Sequence, residues 1–163
     1  MQRRNFIIAG LSLSPFGATW AGTTINTIGS NSGLAINGFD TVAFHTDKKA
    51  IKGSAEFSYE WNQAVWYFTS AANRDRFKAD PTKYAPEFGG HCALGVSDGY
   101  ISQKATDGEF EIYQSKLYLF PPAAGGNPTG VKTAWWQSGG GPSTRVRWGS
   151  QNWLKLKTEL ESK

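Results

Sequence analysis

Aromatic residues alternate with polar ones in the segment that most constrains the fold of this chain. Over residues 57–61 an aromatic side chain occupies every second position, and a second aromatic run, 65–68, follows two polar residues, Asn62 and Gln63. Such alternation is typical of a strand with one buried face, and two such runs across a short polar turn predict a β-hairpin. We therefore expect a small core built around these aromatic residues and their neighbours, namely Phe57, Tyr59, Trp66, Phe68, Phe77 and Tyr84.

A second hairpin is predicted over 110–113 and 117–120, with its turn at Gln114 and Ser115. The stretch 121–142 that follows is rich in glycine and proline, so we expect a loop there that contains at most a short helix over 131–136. Helices are predicted where a side chain that caps helix N-termini precedes a run compatible with a helix. These places are Asp40 before 41–45, Ser70 before 71–79, Asp80 before Pro81, and Ser150 before 151–161.

The order of these elements indicates the fold class. Two hairpins and several short helices within 163 residues predict one small α+β domain, because the chain is too short for two domains with separate cores. We place this domain at residues 34–163.

Residues 1–21 have the three zones of a secretory signal peptide. A positive start with Arg3 and Arg4 precedes a mostly apolar stretch, 6–16, and a small residue, Ala21, ends the segment. The apolar stretch is shorter than the roughly 20 residues that a transmembrane helix needs. The sequence therefore predicts a removable signal peptide rather than a membrane anchor.

The start of this segment also resembles the twin-arginine export signal, because Phe6 follows the arginine pair closely. An ordinary secretory signal with two arginines is the alternative. In either case we expect cleavage near Ala21–Gly22, a location in the periplasm, and a flexible lead-in over residues 22–33.

The charge balance argues against nucleic acid as a partner. The chain carries 17 basic and 13 acidic residues, and the predicted signal peptide contains two of the basic ones, which leaves a net charge of only +2 on the mature chain. No later apolar run is long enough to cross a membrane, so we expect no membrane span in the mature chain.

Six short motifs between residues 34 and 120 occur together in a known family. They are Gly38-Phe39-Asp40-Thr41-Val42-Ala43-Phe44, Gly53-Ser54-Ala55-Glu56-Phe57, Trp66-Tyr67-Phe68, Ser70-Ala71-Ala72-Asn73-Arg74, Asp80-Pro81-Thr82-Lys83-Tyr84-Ala85-Pro86 and Gly89-Gly90-His91-Cys92-Ala93. This set resembles the exported, longer branch of the YHS-domain family. The resemblance implies a YHS-like α+β fold and, from the short members of the family, a module that binds metal. The cysteines of those short members are replaced here by Ala43-Phe44-His45 and Phe68-Thr69-Ser70.

Only three side chains of the mature chain are soft metal ligands. His45, His91 and Cys92 are too few for a closed structural zinc site, which takes four such ligands. They suit an open site for copper or another transition metal, because imidazole and thiolate both bind copper well. We therefore predict a metal site formed by His45 and His91, with Cys92 as a third ligand.

A helix over residues 86–97 would direct the side chains of His91 and Cys92 away from each other. His91 and Cys92 would then point about 100° apart, so that His91 would share a polar face with Glu87 and Cys92 would pack into the core. A buried cysteine is the common case for a chain that cannot form an internal disulfide.

Two other functions remain open from the sequence. A thiol-dependent enzyme would use Cys92, but the imidazole of its neighbour His91 is poorly oriented for a Cys–His dyad. No other set of residues in the sequence indicates a catalytic site. A module that binds a protein or a glycan without metal would use an aromatic and basic surface. The residues proposed for that surface are Trp135, Trp136, Trp148, Trp153, Arg145 and Arg147.

Overall fold

The computed structural model describes residues 23–30, 33–102, 106, 109–122 and 130–162. The predicted signal peptide lies outside these residues, as does the part of the Gly/Pro-rich stretch over 123–129. The elements, in chain order, are α1 (Thr41–Thr46), β1 (Ser54–Trp61), β2 (Ala64–Phe68), α2 (Ala71–Ala79), α3 (Pro81–Tyr84), α4 (Ala93–Ser97), β3 (Glu109–Tyr113), β4 (Lys116–Phe120), α5 (Val131–Gln137) and α6 (Gly141–Glu161). Two 3-10 turns, Ala35–Gly38 and Glu87–Gly90, complete the set. The predicted α+β fold class with two hairpins is confirmed.

Both hairpins are antiparallel and have two-residue turns. Tyr59 pairs with Trp66 in the first, and Glu111 pairs with Tyr118 in the second. The turn residues of each hairpin have positive φ at both positions, which matches the right-handed twist of the strands. These residues are Asn62 (φ 50°), Gln63 (58°), Gln114 (50°) and Ser115 (63°).

The first hairpin packs one face on a hydrophobic core that we call the first cluster. Trp66 and Phe68 are fully buried there, and the ring of Phe77 from α2 lies 5.1 and 5.2 Å from theirs. Phe57, Tyr59 and Tyr84 pack against this core while half-buried. The buried members of the first cluster are Ile25, Ala35, Ile36, Val42, Phe44, Ala64, Trp66, Phe68, Phe77, Ala85, Leu117 and Leu119.

A second cluster lies on the other face of β4. Leu117 and Leu119 point into the first cluster, whereas Tyr118 and Phe120 point into the second. This strand is therefore covered on both faces, as a continuous apolar run favours. The buried members of the second cluster are Phe88, Ala93, Val96, Tyr118, Phe120, Trp135 and Leu156.

Asp40 caps α1, as predicted, and also ties it to two other elements. Its Oδ1 accepts hydrogen bonds from the backbone N–H groups of Val42 (2.8 Å) and Ala43 (3.2 Å). Its Oδ2 accepts from the backbone and hydroxyl of Thr69 (both 2.8 Å) and from Nδ2 of Asn73 (2.7 Å). Since the side chain is fully buried, these five bonds replace the water that a carboxylate would otherwise bind.

The described part of the predicted lead-in is packed rather than flexible. Thr24, Ile25 and Asn26 are buried, and the Asn26 backbone N–H donates to the carbonyl of Gly89 at 2.8 Å. The Asn26 side chain donates to the carbonyl of Gly90 at 3.0 Å. The prediction failed because small polar residues suggest a loop, whereas here Asn26 is hydrogen-bonded to the distant turn at Gly89 and Gly90.

The C-terminal helix begins ten residues earlier than predicted. α6 starts at Gly141, with Pro142 in its first turn, where proline needs no N–H donor. Buried Arg145 then forms an ion pair with Asp98 and donates to the Ser138 carbonyl at 3.3 Å, which fixes this first part of the helix. Among the described residues, no helix is both long and apolar enough to cross a membrane.

Candidate functional site

His91 lies in the interior beside α6. It is 4% exposed, and its ring lies 6.0 Å from the ring of Trp153. Within the described part of the chain, neither ring nitrogen makes a hydrogen bond of acceptable geometry. Burial lowers the pKa of His91 from 6.5 to about 4, against a smaller opposing effect of the Thr24 backbone. The imidazole is therefore neutral near pH 7.

Cys92 follows His91 on an extended stretch of backbone and not on a helix. His91 has φ −70° and ψ 161°, and α4 begins only at Ala93. A continuous helix over 86–97 does not form, because Phe88 and Gly89 both have positive φ. Successive side chains on extended backbone point to opposite sides, so His91 and Cys92 are directed apart. Glu87 and His91, which such a helix would have placed on one face, are therefore not paired in that way. Cys92 is buried, and its backbone bridges to Leu119 of β4.

His45 lies near the end of α1, in different surroundings. Its ring packs edge-on against Tyr84 at 5.6 Å. Burial, and after it the positive charge of Lys48, hold the pKa of His45 below its usual value of 6.5. Its Nε2 is buried and, among the described residues, has no hydrogen-bond partner. His45 is thus a second neutral imidazole with a buried ring nitrogen that no described residue hydrogen-bonds.

These residues are not assembled into a three-ligand centre. Nowhere in the described residues do three or more His, Cys, Asp or Glu side chains lie in a group that could hold a metal ion. His45 contacts α3, whereas His91 contacts α6. Binding of copper by the two histidines stays a prediction, and the direction of the Cys92 side chain argues against a site that it shares with His91.

The N-terminal segment and α6 border a groove of about 360 Å³ that we call the 24–161 groove. Its lining comes from five parts of the chain: residues 24–25, residues 61–62, Thr82 with 85–89, Lys116, and the stripe Trp153, Lys157 and Glu161 of α6. Because the three α6 residues are spaced by four, they lie along one face of the helix. Of these groove residues, only Trp153 and Glu87 were predicted from the sequence as parts of a surface or polar face with a functional role. The spacing of Trp153, Lys157 and Glu161 in the predicted helix is the signal that could have pointed to a shared face.

Close backbone contacts fix the walls of this groove. A Cβ on Gly89 would lie 2.0 Å from the Thr24 carbonyl oxygen, so only glycine permits this approach. A Cβ on Gly149 would lie 2.5 Å from the Phe88 ring, which therefore rests directly on the α6 backbone. One turn later, Trp153 packs on the same ring at 6.1 Å.

The turn of the first hairpin is fastened to the same N-terminal segment. Nδ2 of Asn62 donates to the Thr24 hydroxyl at 3.3 Å, and the Thr23 hydroxyl donates to the Asn62 carbonyl at 3.2 Å. Trp61 is held by the rings of Phe77 (5.6 Å) and Trp66 (5.9 Å). Its position at the edge of the groove is therefore determined by the core.

The groove combines aromatic, polar and charged side chains. Trp61 and Trp153 are half-buried, so part of each indole is available to a ligand. Four charged residues line it, two lysines and two glutamates, and Nζ of Lys116 lies 3.2 Å from Oε1 of Glu87. This combination can bind a ligand that has both apolar faces and hydrogen-bonding groups.

The six residues predicted as an aromatic and basic surface are not all at the surface. Trp135 is fully buried in the second cluster, and Arg145 is 7% exposed in its ion pair with Asp98. Trp136 and Trp148 are exposed, at 41% and 37%, but do not line the groove. Of the six, only Trp153 belongs to the site described here.

Comparisons with models of known protein families, with curated proteins and with solved structures find no match to this chain.

Proposed function

We propose that this protein is an exported binding module whose ligand occupies the 24–161 groove. The observation that carries the proposal is the pair Trp61 and Trp153. These residues are 92 positions apart in the chain, yet both line one groove, and each is held in place by other aromatic rings. Tryptophan offers a large contact area at a small cost in conformational entropy, which suits a binding surface.

The construction of the groove supports a binding role. Its volume lies at the lower end of the range found for ligand sites, about 300–1,000 Å³. Its borders are joined by hydrogen bonds through Thr24 and by the contact between Phe88 and Gly149. A site with such fixed borders loses little freedom when a ligand binds.

Nuclear magnetic resonance of the tryptophan indoles tests this proposal. The test panel contains neutral oligosaccharides, short peptides of either charge and free amino acids. We expect a member of the panel to shift the indole N–H signals of Trp61 and Trp153 and to leave those of exposed Trp136 and Trp148 in place. Signals that shift only at Trp136 or Trp148, or no shift with any member of the panel, would overturn the proposal.

Export to the periplasm is part of the same proposal. It is supported by the zones of residues 1–21 and by the resemblance to exported YHS-domain proteins. The intact mass of the protein from a periplasmic fraction is expected to match a chain that begins near Gly22. Replacing Arg3 and Arg4 by lysines is expected to block export by the twin-arginine route, whereas a general secretory signal would tolerate the change. A mass that still includes residues 1–21 would contradict cleavage.

Copper binding is a second candidate function, favoured by two buried imidazoles. Both His45 and His91 have lowered pKa values and an Nε2 that lacks a hydrogen-bond partner among the described residues. A neutral imidazole with a free lone pair is the form that binds metal. We expect His45→Ala and His91→Ala each to weaken binding in a copper titration and the double variant to abolish it. Equal binding by the wild type and the double variant would exclude this function.

A further inference from the structure

The charges around the 24–161 groove cancel. Lys116 and Lys157 line it together with Glu87 and Glu161, so that its formal charge is zero. One of these pairs, Lys116 and Glu87, is in direct contact at 3.2 Å. A groove of this kind does not attract a polyanion or a polycation over a distance. The ligand chemistry that it favours is neutral.

The polar side chains offer hydrogen bonds of both kinds. Lysine only donates, glutamate accepts, and the amide of Asn62 does both. The hydroxyl of Thr82 donates its hydrogen to Oδ1 of Asp80 at 2.8 Å and can accept from a ligand. A ligand that satisfies such a mixed set needs many groups that donate and accept at once. Hydroxyl groups have this property, because each has one donor hydrogen and two acceptor lone pairs.

The aromatic side chains add a requirement for apolar faces. Part of each indole of Trp61 and Trp153 faces the groove, at positions held by Phe77 and Phe88. A sugar ring has C–H groups on its faces and hydroxyl groups on its edges, so it can contact an indole and the polar border together. A short peptide presents such faces only at particular side chains, and its termini carry charge.

We infer that the 24–161 groove binds a neutral saccharide, with Trp61 and Trp153 against the faces of its rings and the polar border on its hydroxyl groups. This inference rests on the proposed binding function and names the class of its ligand. Lys157 and Glu161 act here as hydrogen-bonding groups rather than as charges.

The test uses the full mature chain and neutral tetrasaccharides, namely cellotetraose, maltotetraose and the tetramer of N-acetylglucosamine. We expect at least one of them to bind and to shift the indole signals of Trp61 and Trp153. Trp153→Ala is expected to weaken that binding by about tenfold, which corresponds to about 1.4 kcal/mol, the scale of one aromatic contact. Trp136→Ala, a change of an exposed tryptophan outside the groove, is the matched control and is expected to leave the affinity unchanged.

The role of the charges separates a saccharide from a charged ligand. The double variant Lys157→Gln, Glu161→Gln keeps hydrogen-bonding groups at both positions and removes both charges. These residues belong to the last two turns of α6, so the variant is expected to fold even if Trp153→Ala does not. Saccharide binding by this variant is expected to stay within about threefold of wild type and to change little between low and high salt, since no ion pair to the ligand is lost.

Each contrary result has its own meaning. If the peptides shift Trp61 and Trp153 and the saccharides do not, the saccharide inference falls and the proposed binding function stands. If the saccharides bind but shift Trp136 or Trp148 instead, or if nothing binds, both fall. Saccharide affinity that drops steeply with salt would also overturn the inference, because it would show binding through charge.

Discussion

The first and second clusters pack on opposite faces of β4, and each contains a fully buried tryptophan. In the first cluster, Nε1 of Trp66 donates to the carbonyl of Trp61 at 3.0 Å. In the second, Nε1 of Trp135 is buried and has no hydrogen-bond partner among the described residues. Two equivalent side chains thus have different polar environments.

A similar difference separates two buried polar residues, Asp40 and His91. Asp40, beside the first cluster, accepts five hydrogen bonds. His91, which contacts Trp153 beside the second, makes no hydrogen bond with good geometry to any described residue. A carboxylate whose oxygens are all hydrogen-bonded holds the elements around it in place. A buried polar group without a partner lowers the stability of the fold, so its presence needs another explanation, such as a function.

One of these unpaired groups, His91, lies next to the groove, whereas another, Nε2 of His45, lies on α1 beside the first cluster. His91 touches Trp153, and Trp153 lines the groove. Asp40 therefore has polar atoms that serve the fold, whereas the ring nitrogens of His91 make no good hydrogen bond to a described residue. A binding function is expected close to a group of the second kind, because stability does not require its polar atoms.

The largest difference in the free energy of unfolding is expected between the variants Asp40→Ala and His91→Phe. The first change leaves five donors without an acceptor and removes the cap of α1, so we expect a loss of about 4 kcal/mol or more in the free energy of unfolding. The second removes groups that make no good hydrogen bonds and fills a similar volume, so we expect a change within about 1 kcal/mol. Urea denaturation at pH 7 measures both. A large loss for His91→Phe would show that the imidazole supports the fold.

The sequence predicted the first region better than the second, and the reason is the range of the contacts. Alternation in 57–61 is a local signal, and so is an aspartate before a helix, so both hairpin and cap were found. The bonds from Asp40 to Thr69 and Asn73 span 29 and 33 residues and could not be seen in a local pattern.

Around the groove, the local signals were misleading. Residues 24–26 look like a flexible lead-in, but all three are buried and the Asn26 backbone N–H donates to the carbonyl of Gly89. Phe88 has a φ of 56°, which a bulky residue rarely adopts and which sequence does not indicate. The candidate ligands were identified by residue type, and the sequence did not indicate that His91 and Cys92 lie on extended backbone, which directs them to opposite sides.

The dependence of stability on pH is expected to come next in size. The pKa of His91 is lowered from 6.5 to about 4, so between these values the unfolded chain binds the proton and the folded chain does not. The free energy of unfolding therefore has its full value above pH 6.5. It falls as the pH drops towards 4, and the loss that is due to His91 amounts to about 3 kcal/mol.

Denaturation curves at pH 7 and pH 4 for the wild type and His91→Phe measure this effect, since the other titrating groups are common to both. We expect the wild type to lose more stability by about 3 kcal/mol. Equal losses would mean that His91 is protonated in the folded protein without penalty, and the contrast with the first region would be weaker.

The smallest effect separates the two buried tryptophans. Trp66→Phe and Trp135→Phe remove the same atoms from fully buried positions, so the losses of apolar contact are comparable. Only Trp66→Phe also removes a hydrogen bond and leaves the carbonyl of Trp61 without that donor. We therefore expect Trp66→Phe to cost about 1 kcal/mol more in the free energy of unfolding. Equal costs in urea denaturation would mean that the indole N–H of Trp135 is also satisfied in solution, and the second cluster would then be as complete in its polar contacts as the first.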